Sequence, residues 1–127
     1  MPSRQLANFE QALTKLREML ARDASDEAVR DAAIQRFEFT YETCWKALKH
    51  HLTAINVVAG SPRDVVLKAS REGLVPDLSV WHTIIQDRNL TSHVYNEAVA
   101  QAIFGRLASH MAEFERLRAA LRQVEGL

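Results

Sequence analysis

The sequence predicts an all-α fold, an antiparallel up-and-down bundle of about four to five helices. The chain is 47% hydrophobic but contains only four Gly and three Pro, too few turn residues for an all-β fold. Apolar residues recur at steps of three and four along three long segments. Because the connections between these segments are short, we expect neighbouring helices to pack antiparallel.

The first two long segments carry clear helix signals. Ser3 is the expected N-cap of a helix that continues to about Arg22. Ser25 or Asp26 is the expected cap of a second helix, which we expect to reach residues 59–60 because no Gly or Pro interrupts it. The predicted buried faces are Leu6, Phe9, Leu13, Leu16 and Leu20 in the first helix, and Ile34, Phe37, Tyr41, Cys44, Leu48, Leu52 and Ile55 in the second.

A short third helix is predicted by its start and stop signals. Ser61 is placed as N-cap, Pro62 occupies the first helical position, and Asp64 suits the positive end of the helix dipole. Gly73 is expected to end this helix, because glycine adopts the left-handed conformation that terminates many helices.

Two further helices complete the bundle. Pro76 and Asp77 are expected to open a short fourth helix that runs toward Arg88. A long fifth helix is predicted from about Asn96 to the end, with the stripe Val99, Ile103, Leu107, Met111, Phe114, Leu117, Leu121 and Val124. The apolar stripes are wide, so we expect a homodimer that buries part of them.

Composition limits the possible functions. Sixteen basic and sixteen acidic residues give a formal net charge of zero, so the field of the whole molecule does not attract a polyanion. The single cysteine, Cys44, excludes an intramolecular disulfide, and no zinc-site spacing is present, so we expect neither metal nor cofactor. Without a signal peptide or a long apolar run, the prediction is a cytoplasmic protein that does not contact the membrane. Its length predicts one domain, residues 1–127.

The stretch RNLTSHVYNE, residues 88–97, places Arg88 and His93 five positions apart in a polar setting. On an uninterrupted helix they would be rotated by about 140° and would lie on different faces. The Asn, Thr and Ser residues around them are poor in helix interiors and good at caps. We therefore expect a break that brings the two side chains toward one pocket, where the N-terminus of the last helix also favours an anion.

Arg88 and His93 together could cleave RNA without a metal. Histidine exchanges a proton near neutral pH, and the arginine guanidinium binds phosphate oxygens in a bidentate fork. The pair could activate a ribose 2′-hydroxyl against the adjacent phosphate and stabilise the charged transition state. The structural alternative is that Arg88 pairs with a carboxylate while His93 only caps a helix.

Three stretches, RFEFTYETCWKALKHHL, SPRDVVLKASREGLV and RNLTSHVYNE, resemble the bacterial and archaeal nucleotidyltransferase substrate-binding proteins. These belong to the HEPN superfamily (higher eukaryotes and prokaryotes nucleotide-binding). The resemblance covers nearly the whole chain from about residue 5. Its most specific part is an Arg, a polar residue, three further residues, a His, and a Tyr two positions later. Arg88, Asn89, His93 and Tyr95 fill these positions.

The resemblance implies a dimeric helical bundle in which two copies of the motif face each other as a metal-independent ribonuclease site. In this analogy Arg88 stabilises the phosphorane, His93 acts as acid or base, and Asn89 orients the pair. In the dimer, additional cations from the third helix would form a positive cleft for RNA. Those cations are Arg63, Lys68 and Arg71.

The resemblance also implies a partner, a separately encoded minimal nucleotidyltransferase, with which related proteins form toxin and antitoxin pairs. In some of these systems the transferase blocks the ribonuclease by attaching AMP to the motif tyrosine, here Tyr95. This chain has no transferase motif of its own. Two alternatives remain open: a non-catalytic subunit that binds nucleotide or substrate for the transferase, and a purely structural domain whose polar motif caps helices.

Other conspicuous side chains have simpler interpretations. Cys44 is predicted to be a buried structural thiol. Glu42 is expected to pair with Lys46 on the surface, whereas Glu38 is a candidate to turn toward Arg88. The aromatic side chains of the second helix are predicted to lie in the core or the dimer interface: Phe37, Tyr41 and Trp45.

Overall fold

The computed structural model describes residues 1–127 as five α-helices with no β-strand. The helices are α1 (Arg4–Leu20), α2 (Glu27–Ala54), α3 (Pro62–Arg71), α4 (Leu78–Leu90) and α5 (Glu97–Val124). A single 3₁₀ turn, Thr91–His93, joins α4 to α5. The predicted all-α bundle is confirmed. The long helices α1, α2 and α5 pack on one another, and α3 and α4 close one side of the bundle.

Each helix begins at a side-chain cap. Ser3 and Ser61 were predicted as caps, and Asp26 was one of two candidates for α2. Asp77 and Asn96 cap the helices whose starts were predicted at about these positions. These caps satisfy backbone amides that would otherwise have no partner in the first turn. The cap acceptors and the amides that donate to them are Ser3 to Leu6, Asp26 to Ala28, Ser61 to Asp64, Asp77 to Ser79 and Asn96 to Val99. Gly73 follows α3 with a φ of 78°, as its predicted role as a helix terminator requires.

The predicted end of α2 at residues 59–60 was wrong, because the helix ends at Ala54. Asn56 adopts a φ of 63°, in the left-handed region that asparagine tolerates better than most residues. The Val57 amide then donates to the Leu52 carbonyl at 2.8 Å and closes the helix. Ile55 consequently lies outside the core, with 41% of its surface exposed.

The core is one cluster of 27 buried apolar residues with Phe114 at its centre. The Phe114 ring lies 6.2 Å from the Phe9 ring, 6.1 Å from the Phe37 ring and 5.6 Å from the Trp81 indole, measured between centroids. These four aromatic residues come from α1, α2, α4 and α5, so their contacts join four helices. The Phe9 and Trp81 contacts are edge-to-face and the Phe37 contact is tilted. Edge-to-face pairs add about 0.5–1.5 kcal/mol each beyond the area they bury.

Cys44 is fully buried on α2, as predicted. Burial raises the pKa of its thiol well above the ordinary value. A thiol that stays protonated is a poor nucleophile, so Cys44 serves the packing of the core. None of the helices is sufficiently long and apolar to cross a bilayer.

Polar contacts fasten α5 to α1 along the outside of the bundle. Glu10 accepts from Arg118 Nε at 2.7 Å and from Arg122 Nη1 at 2.9 Å. At the end of the same helix pair, Glu125 accepts from the Ser3 backbone amide at 2.7 Å and from its hydroxyl at 2.8 Å. These bonds fix the C-terminal half of α5 to α1. The N-terminal end of α5 directly follows the polar stretch.

Candidate functional site

The polar stretch forms a compact turn between the last two helices. Arg88 lies in the last turn of α4, His93 ends the 3₁₀ turn, and Asn96 caps α5. The predicted break is therefore present. The Ser92 hydroxyl donates to the Asn89 carbonyl at 3.1 Å, which helps to close the turn.

Arg88 is held on both sides by side chains that fix its direction. Its Nη1 donates to the Thr91 hydroxyl at 2.9 Å, and that hydroxyl donates in turn to the Arg88 carbonyl at 2.6 Å. On the α2 side, Nη1 lies 3.8 Å from Glu38 Oε2 and Nη2 lies 3.5 Å from Glu42 Oε1. The guanidinium thus joins the turn to α2.

The Arg88 guanidinium nevertheless keeps capacity for a further acceptor. Although its Nε is buried and has no hydrogen-bond partner, 31% of the side-chain surface remains exposed and accessible to an anion. Both carboxylate contacts are longer than a charge-assisted hydrogen bond of about 2.7–2.9 Å. An anion that approaches from the exposed side could therefore bind without first displacing a tight ion pair.

His93 and Tyr95 lie on the open side of the turn. The two rings are 5.9 Å apart at 72°, and His93 Nδ1 lies 3.3 Å from the Tyr95 hydroxyl. Tyr95 is 83% exposed, so solvent and macromolecules can reach its hydroxyl. His93 and Arg88 share no hydrogen bond within one chain. They are connected by the 3₁₀ turn, because Thr91 at its start binds the Arg88 guanidinium and His93 is its last residue. Asn89 is exposed, and its side chain makes no hydrogen bond.

A shallow hollow of about 580 Å³ lies between this turn and α2. Val94 and Tyr95 line one side of it, and Glu38 lies on the other. The remaining lining residues come from the first half of α2: Asp31, Ala32, Ile34 and Gln35. The hollow lies beside the motif, but its walls carry two carboxylates and no cation, and neither Arg88 nor His93 lines it.

The expected anion site at the N-terminus of α5 already has acceptors from the protein's own side chains, one neutral and one negative. The Asn96 side chain accepts from the Val99 amide at 3.2 Å, and Glu97 in the first turn forms a salt bridge with Arg30 of α2. The hydrogen bond from Arg30 is the main cause of the lowered pKa of Glu97. Phosphate binding at the motif must therefore depend on Arg88 more than on this helix end.

A buried charged cluster beside Arg88 was not predicted. Asp87 of α4, 2% exposed, accepts from Arg106 Nε at 2.8 Å and Nη2 at 2.6 Å, and His110 Nε2 lies 2.6 Å from it. Burial opposes the charge of Asp87, but the bonds from Arg106 and His110 outweigh that effect and lower the pKa of the carboxyl. The His110 ring stacks on Phe37 at 5.5 Å. This cluster fixes α4 against α5 one residue before Arg88.

The sequence carried signals for these contacts that the predictions missed. Asp87 follows Ile84 by three positions and His110 follows Leu107 by three, so both continue apolar stripes. A charged residue in such a stripe requires a buried partner. The assignment of Glu42 to Lys46 was wrong, because Glu42 lies against Arg88, whereas the suggestion that Glu38 turns toward Arg88 is confirmed.

The remaining predictions have mixed outcomes. Phe37 and Tyr41 are buried, but Trp45 is only half-buried. Lys68 of α3 is held by Asp64 at 3.2 Å and by a backbone carbonyl, so its charge is partly satisfied. Two predicted cleft cations, Arg63 and Arg71, form no salt bridge. No group of three His, Cys, Asp or Glu side chains is arranged as a metal site.

The fold and the turn define the class as an all-α bundle with a polar Arg–His motif between its last two helices. The family model described as "Nucleotidyltransferase substrate binding protein like" matches residues 4–123. The chain is 38% identical over 96 residues to a Haemophilus influenzae protein named "Probable ribonuclease HepT". That match covers 72% of this chain and 66% of the relative, just under two thirds of the relative's length.

Two solved structures share the fold. A Thermus thermophilus protein superposes with a TM-score of 0.84 and 38% identity, over 90% of this chain and 98% of that one. The second is a Haemophilus influenzae protein whose structure is described as revealing the fold of a substrate binding domain of a nucleotidyltransferase. It superposes with a TM-score of 0.82 and 28% identity, over 92% of this chain and 98% of that one. The chain belongs to the nucleotidyltransferase substrate-binding protein family of the HEPN superfamily.

Proposed function

We propose that this protein is the HEPN component of a two-component module and cleaves RNA without a metal ion, using Arg88 and His93. One observation supports this proposal above the others. A partly exposed guanidinium whose carboxylate contacts are long is held by α2 and by Thr91, and an exposed imidazole ends the same turn. This arrangement provides a fixed phosphate-binding group and an accessible proton carrier.

In the proposed reaction His93 accepts the proton of a ribose 2′-hydroxyl, and the 2′-oxygen attacks the adjacent phosphorus. A bond forms between the 2′-oxygen and phosphorus, and the bond from phosphorus to the 5′-oxygen breaks. Arg88 stabilises the negative charge that develops on the phosphoryl oxygens. The products are a 2′,3′-cyclic phosphate and a 5′-hydroxyl, whose oxygen receives a proton as it leaves.

A homodimer completes this proposal. One copy of the motif supplies one imidazole, whereas the reaction uses both a base and an acid. A second copy of the motif that faces the first would supply the other proton carrier and a second guanidinium. Asn89, exposed and without a side-chain hydrogen bond of its own, would orient the Arg88 and His93 pair when RNA is bound.

The proposed partner is a separately encoded minimal nucleotidyltransferase. Tyr95 is the proposed point of control, because its side chain is 83% exposed and its hydroxyl lies 3.3 Å from His93 Nδ1. Transfer of AMP to that hydroxyl would form a phosphodiester beside the imidazole and release pyrophosphate from ATP. The new negative charge and bulk would block RNA from the motif.

The test is growth and RNA cleavage by the wild type, by His93→Ala and by His82→Ala. His82 is an exposed histidine of α4 with no hydrogen bond, and it provides the matched control. We expect the wild type and His82→Ala to arrest growth and to cut RNA in EDTA. His93→Ala should lose about 100-fold or more of the cleavage rate with its helix content unchanged. Equal cleavage by His93→Ala would contradict the assignment.

A second candidate function is a non-catalytic subunit that presents a nucleotide or another substrate to the transferase. The description of the Haemophilus influenzae structure favours it, as do the carboxylates that face Arg88. In that case the wild type cuts no RNA, and Arg88→Ala loses affinity for the nucleotide while His93→Ala retains it. The same set of variants, extended by Arg88→Ala, therefore separates the two candidates.

A further inference from the structure

A second surface, between α1 and α2, has the properties of a single-stranded RNA site. Between α1 and α2 lies an open hollow of about 670 Å³, and a smaller one of about 210 Å³ continues it. The two share Asn8 and Thr43 as lining residues, so they form one groove. We call this surface the α1/α2 groove.

The α1/α2 groove collects positive charge in a protein with no net charge. Its basic lining residues are Arg4, Lys15, Arg36, Lys46 and Lys49, and no Asp or Glu lines it. None of these five side chains forms a salt bridge or hydrogen bond, whereas every arginine of α4 and α5 is in a salt bridge. The other cations without a salt bridge are Arg22, Arg63 and Arg71. An uncompensated basic groove of this kind suits a chain of phosphates.

Two partly exposed aromatic rings lie in the same groove. Phe39 is 46% exposed and lies 5.9 Å from the Arg36 guanidinium carbon, and Trp45 lies 5.9 Å from Lys46 Nζ. An aromatic ring beside a cation lets a nucleobase stack while its phosphate meets the charge. The Trp45 side chain, predicted to lie in the core or the dimer interface, packs against the core and remains partly exposed.

One carboxylate connects the α1/α2 groove with Arg88. Trp45 Nε1 donates to Glu42 Oε2 at 3.0 Å, and Glu42 Oε1 lies 3.5 Å from Arg88 Nη2. From Arg36 to Lys49 the groove follows α2 for about 20 Å at 1.5 Å per residue. That length accommodates a strand of about four nucleotides, the lower end of single-stranded sites.

We propose that the α1/α2 groove binds a single-stranded segment of the RNA that the Arg88 and His93 motif cleaves. The proposal rests on the proposed ribonuclease function for the identity of the RNA as substrate. The binding itself rests on the five free cations and the two rings. Lys46 and Lys49 bind phosphates, and Trp45 stacks on a base.

The experiment measures binding of fluorescein-labelled octauridine to the full chain carrying His93→Ala, so that cleavage does not interfere. In that background Lys46→Ala with Lys49→Ala should weaken binding about tenfold or more. For this double variant, the magnitude of the slope of log K against log salt should decrease by about 1.4, the value for two phosphate contacts on a single strand. The matched control replaces two exposed cations that lie outside both the groove and the motif, Arg17→Ala with Arg22→Ala, and should change neither quantity.

Tryptophan fluorescence locates the bound strand independently. Trp45 is half-buried whereas Trp81 is 1% exposed, so stacking of a base should quench Trp45 alone. The quenching by octauridine should disappear in Trp45→Phe, and Trp81 should keep its emission. Quenching that persists in Trp45→Phe would place the RNA elsewhere.

Three results would overturn the proposal. The first is that the Lys46 and Lys49 variant binds octauridine as tightly as the parent, or that the control loses as much affinity, which would show that binding does not depend on the groove. The second is that uridine monophosphate binds as tightly as octauridine with the same dependence on Lys46 and Lys49, which would indicate a mononucleotide site. The third is that the Lys46 and Lys49 variant no longer binds the transferase partner but binds octauridine as tightly as before, which would make the groove a protein interface. Failure of the wild type to cut RNA would overturn only the ribonuclease, because binding is measured without cleavage.

Discussion

The Glu42 carboxylate lies 3.5 Å from the Arg88 guanidinium and joins the second helix to the Arg–His turn. Its other oxygen accepts from Trp45 Nε1, so Glu42 also adjoins the α1/α2 groove. A carboxylate in this place holds the guanidinium by charge and repels phosphate. We therefore expect Glu42 to affect the geometry of the proposed reaction more than the affinity for RNA.

Glu42→Gln should lower kcat for RNA cleavage about tenfold, equivalent to about 1.4 kcal/mol of transition-state stabilisation. The glutamine oxygen can keep the bond from Trp45, but Arg88 loses the charge that directs it. KM should not rise, because a negative group near the phosphate is removed. The free energy of unfolding should change by less than about 1 kcal/mol, since the pair is partly exposed. Steady-state kinetics and urea unfolding measure these quantities.

The control for this variant is Glu18→Gln, which removes an exposed carboxylate of α1 that has no salt bridge. It should leave kcat, KM and stability unchanged. A rise in KM with constant kcat in Glu42→Gln would contradict a positioning role and would indicate that Glu42 contributes to RNA binding.

Asp87→Ala should destabilise the protein by about 3 kcal/mol, because it leaves the buried His110 and the partly exposed Arg106 without their acceptor. Urea unfolding followed by circular dichroism measures the loss. Glu72→Ala, which removes an exposed carboxylate without a salt bridge, should stay within about 0.5 kcal/mol of the wild type. Equal stability of the two variants would show that the Asp87 cluster does not hold α4 to α5.

The same cluster predicts a pH dependence. The pKa of Asp87 is lowered in the folded protein from its usual 3.8, so its stabilisation is complete above that value. It is lost as the pH falls through the lower, folded pKa. Between about pH 5 and pH 2 the stability of the wild type should therefore fall more steeply than that of Asp87→Asn. Parallel curves for the two proteins would contradict this assignment.

Tyr95→Phe should fold as the wild type does, because the side chain is 83% exposed. Under the proposed function it should still cut RNA, but co-expression of the transferase should no longer relieve its toxicity. Intact-mass spectrometry should detect one AMP on the wild type and none on the variant. An AMP on Tyr95→Phe would assign the modification to another residue.

The sequence predicted the helices well because each carries its own start signal. Side chains such as Ser61 and Asn96 bind amides within the same turn, so a local pattern is sufficient to locate them. The end of α2 was misplaced because Asn56, an uncommon helix terminator, adopts the left-handed conformation that was expected of a glycine.

The candidate site was only partly predictable because its contacts join distant parts of the chain. Thr91 is only three positions from Arg88, so the hydrogen bond between their side chains could be suspected from the local sequence of the turn. Glu42 approaches Arg88 from another helix, while Lys46, one helical turn along, offered a local partner that the fold does not use. The turn residues were identified, but the side chains that hold them required the packing of α2 against α4.

The most direct test of the central claim is the chemistry of RNA cleavage in EDTA. A uridine-rich oligonucleotide and its 2′-O-methyl counterpart are incubated with the wild type and with His93→Ala, and the product ends are identified by mass spectrometry. We predict that the wild type yields 2′,3′-cyclic phosphate and 5′-hydroxyl ends from the unmodified RNA alone, and that His93→Ala is slower by about 100-fold or more. Cleavage of the 2′-O-methyl strand, or undiminished cleavage by His93→Ala, would contradict the account.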